Sequence, residues 1–232
     1  MFRLLASLAT VAIATAQKTA LVIVDVQNDF ALPTGNLSVS GGEAIIPAIN
    51  KLRAQGQWDM VVLTQDWHPV NHVSFYSRWA SDPNAHIYQP YTLPNGDVQV
   101  LWPNHCTQNL FGANFHKDLI TAPTDVIIQK GTNPDLDSYS GLLENDHTTE
   151  TALPTILKAA GITNLVVVGL AEDYCVGSTA FDAKTVFNLD VTVISDATAP
   201  VAPDSQAAMR AKLLGAGVVY KSTTEYLGHA AC

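Results

Sequence analysis

Residues 165–181 read LVVVGLAEDYCVGSTAF. The apolar run 165–168 closes on Gly169, the pattern of a short strand buried on both faces. A compact polar segment, Ala171-Glu172-Asp173-Tyr174, follows, and 174–188 has helical character. Cys175 therefore falls where a strand turns into a helix. At such a junction unpaired backbone N–H groups and the positive end of the helix dipole favour a thiolate, a competent nucleophile at neutral pH. Most free cysteines are small buried hydrophobes. Whether this one has a chemical role depends on what the rest of the chain brings to the same place.

On either side of this stretch, short apolar runs alternate with amphipathic ones. Runs at 20–25 (ALVIVD), 60–64, 126–129, 191–194 and 218–220 read as further strands. Helical spacing covers 43–55, 151–160 and 205–214, with Gly161 placed to close the second of these. This alternation predicts a parallel sheet covered on both faces. In such sheets ligands gather beyond the carboxyl ends of the strands. Asp25, Asp66, Lys130 and Cys175 each stand at or just past such an end. Any one of them would pass as a helix cap or an ion pair, but four at one edge predict a site. The stretch 69–105 shows no periodicity and is rich in Pro, Asn, His and aromatic residues, as a functional loop would be.

The residue types suggest the chemistry. A cysteine nucleophile needs a base, and Asp25 qualifies if desolvation raises its pKa. Lys130 is placed to stabilise a thiolate or to hold Asp25. Backbone N–H groups at Ala171 and Cys175 are candidates to receive an oxyanion. Asp66-x-His68, with His72 and Ser74 close by and His105 in Trp102-Pro103-Asn104-His105-Cys106, offers carboxylate and imidazole ligands suited to zinc, manganese or iron(II).

Composition bounds the alternatives. Of 232 residues, 47% are hydrophobic and only 14% charged, which excludes a disordered chain. The net charge of −9 is spread without acidic blocks and argues against nucleic acid or an anionic membrane as partner. Met1-Phe2-Arg3, the charge-free run 4–16 and the Ala14-Thr15-Ala16 triplet have the form of a secretory signal peptide spanning 1–16, which leaves a catalytic domain over 17–232. Asn36-Leu37-Ser38 is a glycosylation sequon in a turn-rich loop. The three cysteines, Cys106, Cys175 and Cys232, are too few and too scattered for a disulfide framework, and none is predicted.

The segments VDVQNDF (24–30), TQDWHPVNHVSF (64–75), LWPNHC (101–106), QKG (129–131), DSYSG (137–141) and VGLAEDYCV (168–176) resemble, in order, the nicotinamidases of the isochorismatase-like hydrolases. The resemblance implies a three-layer α/β/α fold around a six-stranded, mostly parallel sheet. It implies hydrolysis of nicotinamide to nicotinate and ammonia through a cysteine thioester, in pyridine-nucleotide turnover. It assigns a triad of Asp25, Lys130 and Cys175, an oxyanion hole at Ala171 and Cys175, and one divalent ion, zinc before manganese or iron, on Asp66, His68 and His105. Ser74, His72 or a water is left for a fourth ligand position. Phe30 and Trp102 match aromatics that sandwich the pyridine ring, with Tyr139 nearby, and the Leu170–Ala171 peptide matches a cis bond. Two departures are Glu172, expected to oppose a thiolate, and Leu142-Leu143, expected to loosen the pocket wall. A signal peptide is itself unusual in a mainly intracellular family. The competing expectations are a different hydrolase of the superfamily and a non-catalytic secreted binding protein of the same fold.

Overall fold

The computed structural model describes residues 17–229. The predicted signal peptide (1–16) and Cys232 lie outside the described residues. The central strand is β1 (Thr19–Val24), flanked by β2 (Met60–Asp66) and β6 (Asn164–Leu170). Beyond them lie β5 (Val126–Lys130) on one side, and β7 (Asp190–Ala199) with β8 (Val219–Lys221) on the other. The order is β5-β2-β1-β6-β7-β8, and every pairing within this sheet is parallel. The strand order reverses between β1 and β6, so a crevice opens at their carboxyl ends.

Alternation along the buried strands sends side chains to two cores. Leu21, Ile23, Val166 and Val168 pack on one face with Ile46, Ile49 and Leu52 of α2 (Ile46–Gln55). Ala20, Val22, Val24, Leu165 and Val167 pack on the other with α4 (Leu153–Ala160) and α5 (Gly177–Thr185). Each fully buried Val, Leu or Ile contributes roughly 1.5–3 kcal/mol, which fixes the register and hence the relative height of the strand ends. The three-layer α/β/α architecture follows. Among the described residues no helix is long and apolar enough to cross a membrane.

Several local expectations need revision. The helix expected over 174–188 opens instead as one π-helical turn, Glu172–Val176, and then runs as α5 to Thr185. The strand expected at 191–194 continues through polar Ser195 and Asp196 to Ala199. After a register shift between Val167 and Gly169, Gly169 pairs with Thr198. The long loop contains α3 (Tyr76–Trp79) and an antiparallel hairpin, β3 (Pro90–Thr92) with β4 (Val98–Val100). A short helix α1 (Asn28–Ala31) follows β1, and α6 (Pro203–Gly215) and α7 (Thr223–His229) complete the chain. Gly161 ends α4 with φ +71, the left-handed closure its position predicts.

Candidate active site

Asp25 is the first residue past β1, Asp66 and Lys130 end β2 and β5, and the parallel register sets these two directly opposite each other. Cys175 lies on the turn that follows β6. The backbone leaves β1 in the left-handed region at Asp25 (φ +48), a conformation that costs a non-glycine residue energy and persists where the surroundings enforce it. All four side chains are buried.

Lys130 is the hub. Its Nζ lies 2.9 Å from Asp25 Oδ2 and 3.5 Å from Cys175 Sγ, and donates to Ser138 O at 2.9 Å and to Asp66 Oδ1. Burial alone would discharge it, but Asp25 and Asp66 hold the ammonium firmly protonated. Thr64 Oγ1 donates to Asp25 Oδ1 at 2.6 Å, whereas Asp25 Oδ2 has no aligned hydrogen-bond donor. That oxygen faces the Lys130 ammonium, and a carboxylate oxygen of Asp25 lies within 4.8 Å of Cys175 Sγ. Burial, opposed by Lys130 and assisted by Asp66, pushes the Asp25 carboxyl up to about 6.

The thiol itself departs from the sequence expectation. Burial raises Cys175 well above the ordinary value, and Lys130 offsets only part of this, while Asp25 and Asp66 add to it. The π-helical turn also places the sulfur before α5 begins, not at its first turn. Burial thus favours the neutral thiol over the thiolate. The carboxylate of Glu172, expected to oppose a thiolate, is held by Arg210, with Nε–Oε1 at 2.5 Å, and by Gln206 at 2.6 Å. The Leu170–Ala171 peptide is cis, and Ala171 O accepts from the N–H groups of Tyr174 and Val176 at 3.1 Å each.

Beside this group Asp66, His68 and His105 bring one ligand atom apiece within 4.8 Å of one another. His68 Nδ1 is 2.9 Å from Gly131 O and His105 Nδ1 is 2.7 Å from Pro103 O. Those contacts turn both Nε2 atoms toward Asp66 Oδ2, at 3.3 and 3.8 Å. Histidine anchored through one nitrogen and open at the other is the usual arrangement of a metal ligand. The local backbone permits it, since a Cβ at Gly131 would fall 2.4 Å from the His68 ring. Burial would raise Asp66, but Lys130 and the two histidines outweigh it and keep the carboxylate charged. Two imidazoles and a carboxylate fit zinc, manganese or iron(II). His72 lies in a neighbouring group with His68 and Asp137. Its Nδ1 is 2.8 Å from Ser74 Oγ, and its Nε2 is 3.3 Å from Leu136 O.

One narrow pocket reaches both constellations. Asp66, His68 and His105 lie along its lining, with Cys175 and Ala171, and its apolar walls include Phe30, Trp102 and Tyr139. Trp102 Nε1 donates to Tyr139 OH at 3.1 Å, and Trp102 meets Tyr174 edge to face with ring centroids 5.0 Å apart. Leu142 and Leu143 are buried and do not line the pocket; Leu142 packs in the core cluster that also holds Cys175 and has Tyr139 packed against it. Leu37, Val39, Asp137, Tyr174 and Val201 also line the pocket, and Thr64 supports Asp25. None of these was singled out in the sequence, although Thr64, Asp137 and Tyr174 lie inside segments that carry the resemblance. Leu37, Val39 and Val201 come from loops without a pattern of their own.

Residues 19–225 match the isochorismatase domain. The nicotinamidase of Acinetobacter baylyi is 44% identical over 183 residues, covering 78% of this chain and 81% of its own. The nicotinamidase/pyrazinamidase structure from Acinetobacter baumanii superposes with TM-score 0.82 at 43% identity, over 90% of this chain and 98% of that one. The pyrazinamidase of Pyrococcus horikoshii, solved in complex with zinc, superposes with TM-score 0.70 at 32% identity, over 88% and 99%. With the parallel sheet, the switch-point pocket and this similarity in hand, the chain belongs to the isochorismatase family.

Proposed function

We propose that the protein is a nicotinamidase that hydrolyses nicotinamide to nicotinate and ammonia through a thioester on Cys175, in pyridine-nucleotide turnover. The observation that carries this reading is the shared pocket: ligand atoms of Asp25, Asp66 and Cys175 lie within 4.8 Å of one another, beside the imidazoles of His68 and His105. The similarity to nicotinamidases supports the substrate.

Asp25 Oδ2 takes the thiol proton, and Sγ attacks the carboxamide carbon to give a tetrahedral oxyanion. The backbone N–H groups of Ala171 and Cys175 receive that charge, each such donor being worth ~2.7–4 kcal/mol. On collapse the C–N bond breaks, and the proton held by Asp25 passes to the leaving nitrogen, releasing ammonia. A water then gives a proton to Asp25 and adds to the thioester. The C–S bond breaks, and Asp25 returns its proton to sulfur. Lys130 stays protonated throughout and balances the charge that moves between Asp25 and Cys175. Phe30 and Trp102 hold the ring, with Tyr139 beside Trp102 in the pocket wall. Asp66, His68 and His105 would hold a divalent ion, which would supply a Lewis acid for the pyridine nitrogen, with zinc favoured by the donor set and by the zinc-bound relative. Ser74, His72 or water would complete its coordination, the first two only by giving up the contact between them.

Benzamide tests the substrate and the ion together, because it keeps the carboxamide and lacks the ring nitrogen. Metal-loaded protein is expected to turn over nicotinamide far faster than benzamide. Removing the ion is expected to suppress nicotinamide hydrolysis much more than alkylation of Cys175 by iodoacetamide. Equal rates on the two amides would count against a ring-nitrogen anchor.

A further inference from the structure

Glu172 and Asp173 precede the nucleophile by three and two residues, and both carboxylates are buried. Glu172 accepts from Arg210 Nε at 2.5 Å and Nη2 at 3.0 Å, from Gln206 Nε2 at 2.6 Å and from Thr198 Oγ1 at 3.2 Å. Asp173 accepts from the N–H groups of Val201 and Ala202 at 2.8 and 3.1 Å, and from Ser205 Oγ at 2.5 Å. The donors come from the end of β7, the segment after it and α6. The turn that carries Cys175 is thus suspended from a neighbouring element by two adjacent acids.

The hydrophobic contribution to this docking is small. Leu213 is the one buried residue along α6. Met209 packs over Gly177, where a Cβ would meet its Cγ at 2.5 Å. A helix with so little buried apolar surface relies on its polar contacts for its placement. The contact to Glu172 is the strongest kind, because Arg210 approaches through two nitrogens and the carboxylate is withdrawn from water. Bidentate geometry fixes direction as well as distance, so it sets where the backbone of residue 172 sits relative to α6.

We propose that Glu172, through its ion pair with Arg210, is a positioning residue that holds the Cys175 turn at attack distance from the substrate carbonyl. This rests on the reading of Cys175 as the nucleophile. The clamp acts on sulfur and on the Ala171–Cys175 backbone; its hydrogen bonds reach neither Phe30 nor the three metal-ligand candidates, and Trp102 meets the clamped turn through the ring of Tyr174 alone. Its loss is therefore expected in kcat more than in KM. A displacement near 1 Å at the reacting atoms can lower a rate about a hundredfold.

The experiment compares native protein with Glu172→Thr, Arg210→Met, Arg210→Lys and the Glu172→Thr/Arg210→Met double variant, each metal-loaded. Nicotinamide kinetics, the rate of Cys175 alkylation by iodoacetamide and thermal unfolding are read on the same samples. The expected result is a fall in kcat of about 10- to 100-fold with KM changed less than about threefold, an altered alkylation rate, and partial rescue in Arg210→Lys. The double variant should be no worse than the poorer single one, since each removes the same contact. Variants that lose only thermal stability, with kcat and the alkylation rate unchanged, would overturn the proposal. If Glu172→Thr does not fold, Gln206→Ala removes one arm of the clamp and is read by the same criteria. Should native protein fail to hydrolyse nicotinamide, the nicotinamidase reading fails, and the clamp is judged by alkylation alone.

Discussion

Asp25 shows how burial equips a side chain for catalysis at a cost in stability. Its carboxyl is pushed up to about 6, so the fold favours the protonated form more than the unfolded chain does. The sign follows from linkage. Stability associated with Asp25 is fully present below the ordinary carboxylate range and is lost as pH rises through about 6. Activity runs the other way, because only the carboxylate can accept the thiol proton. kcat/KM is expected to fall on the acid side of about pH 6 with the slope of one proton. Asp25→Asn is expected to unfold at a temperature no lower than native at neutral pH, yet to lose about 10²- to 10⁴-fold in turnover. Differential scanning calorimetry and steady-state kinetics on one preparation check both. The residue types of this site were legible in sequence because acid, cation and thiol each follow an apolar run. The upward shift of the Cys175 thiol was not, since it depends on desolvation and on two carboxylates from other strands. The pairing of Glu172 with Arg210 was likewise hidden, its partners being 38 residues apart.

At the scale of elements, strands and helices with strong periodicity lie within a few residues of where the sequence places them, and their alternation matches a parallel sheet. The failures have physical causes. β7 runs on through Ser195 and Asp196 because backbone pairing with β6 resumes after the register shift, which side-chain hydropathy does not record. The hairpin of β3 and β4 has three-residue strands, too short for alternation to show, although Asn95-Gly96 between them is a recognised turn signal. The loop after β5 carries its own prediction. Gly131 sits at φ +60 against the ring of His68, whose Nδ1 its carbonyl anchors. Gly131→Ala is expected to displace His68 and weaken metal affinity by about 10- to 100-fold. Isothermal titration with zinc measures this, and circular dichroism verifies that the sheet is retained.

Across the whole molecule, the parallel sheet explains why residues far apart in sequence share one pocket. Asp25, Asp66, Lys130 and Cys175 are delivered by four strands to the same edge, and the register across β2 and β5 alone places an acid opposite a lysine. The amino-terminal boundary belongs to this scale too. Lys18 is already part of the fold: its Nζ donates to Ala160 O at 2.9 Å and its carbonyl accepts from Thr163 and Asn164 at 3.0 Å. Cleavage after Ala16 would leave these contacts intact; from the signal-peptide form of residues 1–16 in the sequence we propose a secreted protein whose mature chain starts at Gln17. Amino-terminal sequencing of protein from its source is expected to begin there. Asn36, in the sequon, is exposed. An intact Met1 on protein from the cytosol would refute secretion.

The covalent step is tested most directly by acid-quenching the metal-loaded enzyme during turnover of nicotinamide and mapping its peptides by mass spectrometry. The expected result is a nicotinoyl group on the peptide containing Cys175 and on no other. In Cys175→Ala, both that adduct and ammonia release should be absent, with nicotinamide still bound. Undiminished hydrolysis by Cys175→Ala would contradict the account.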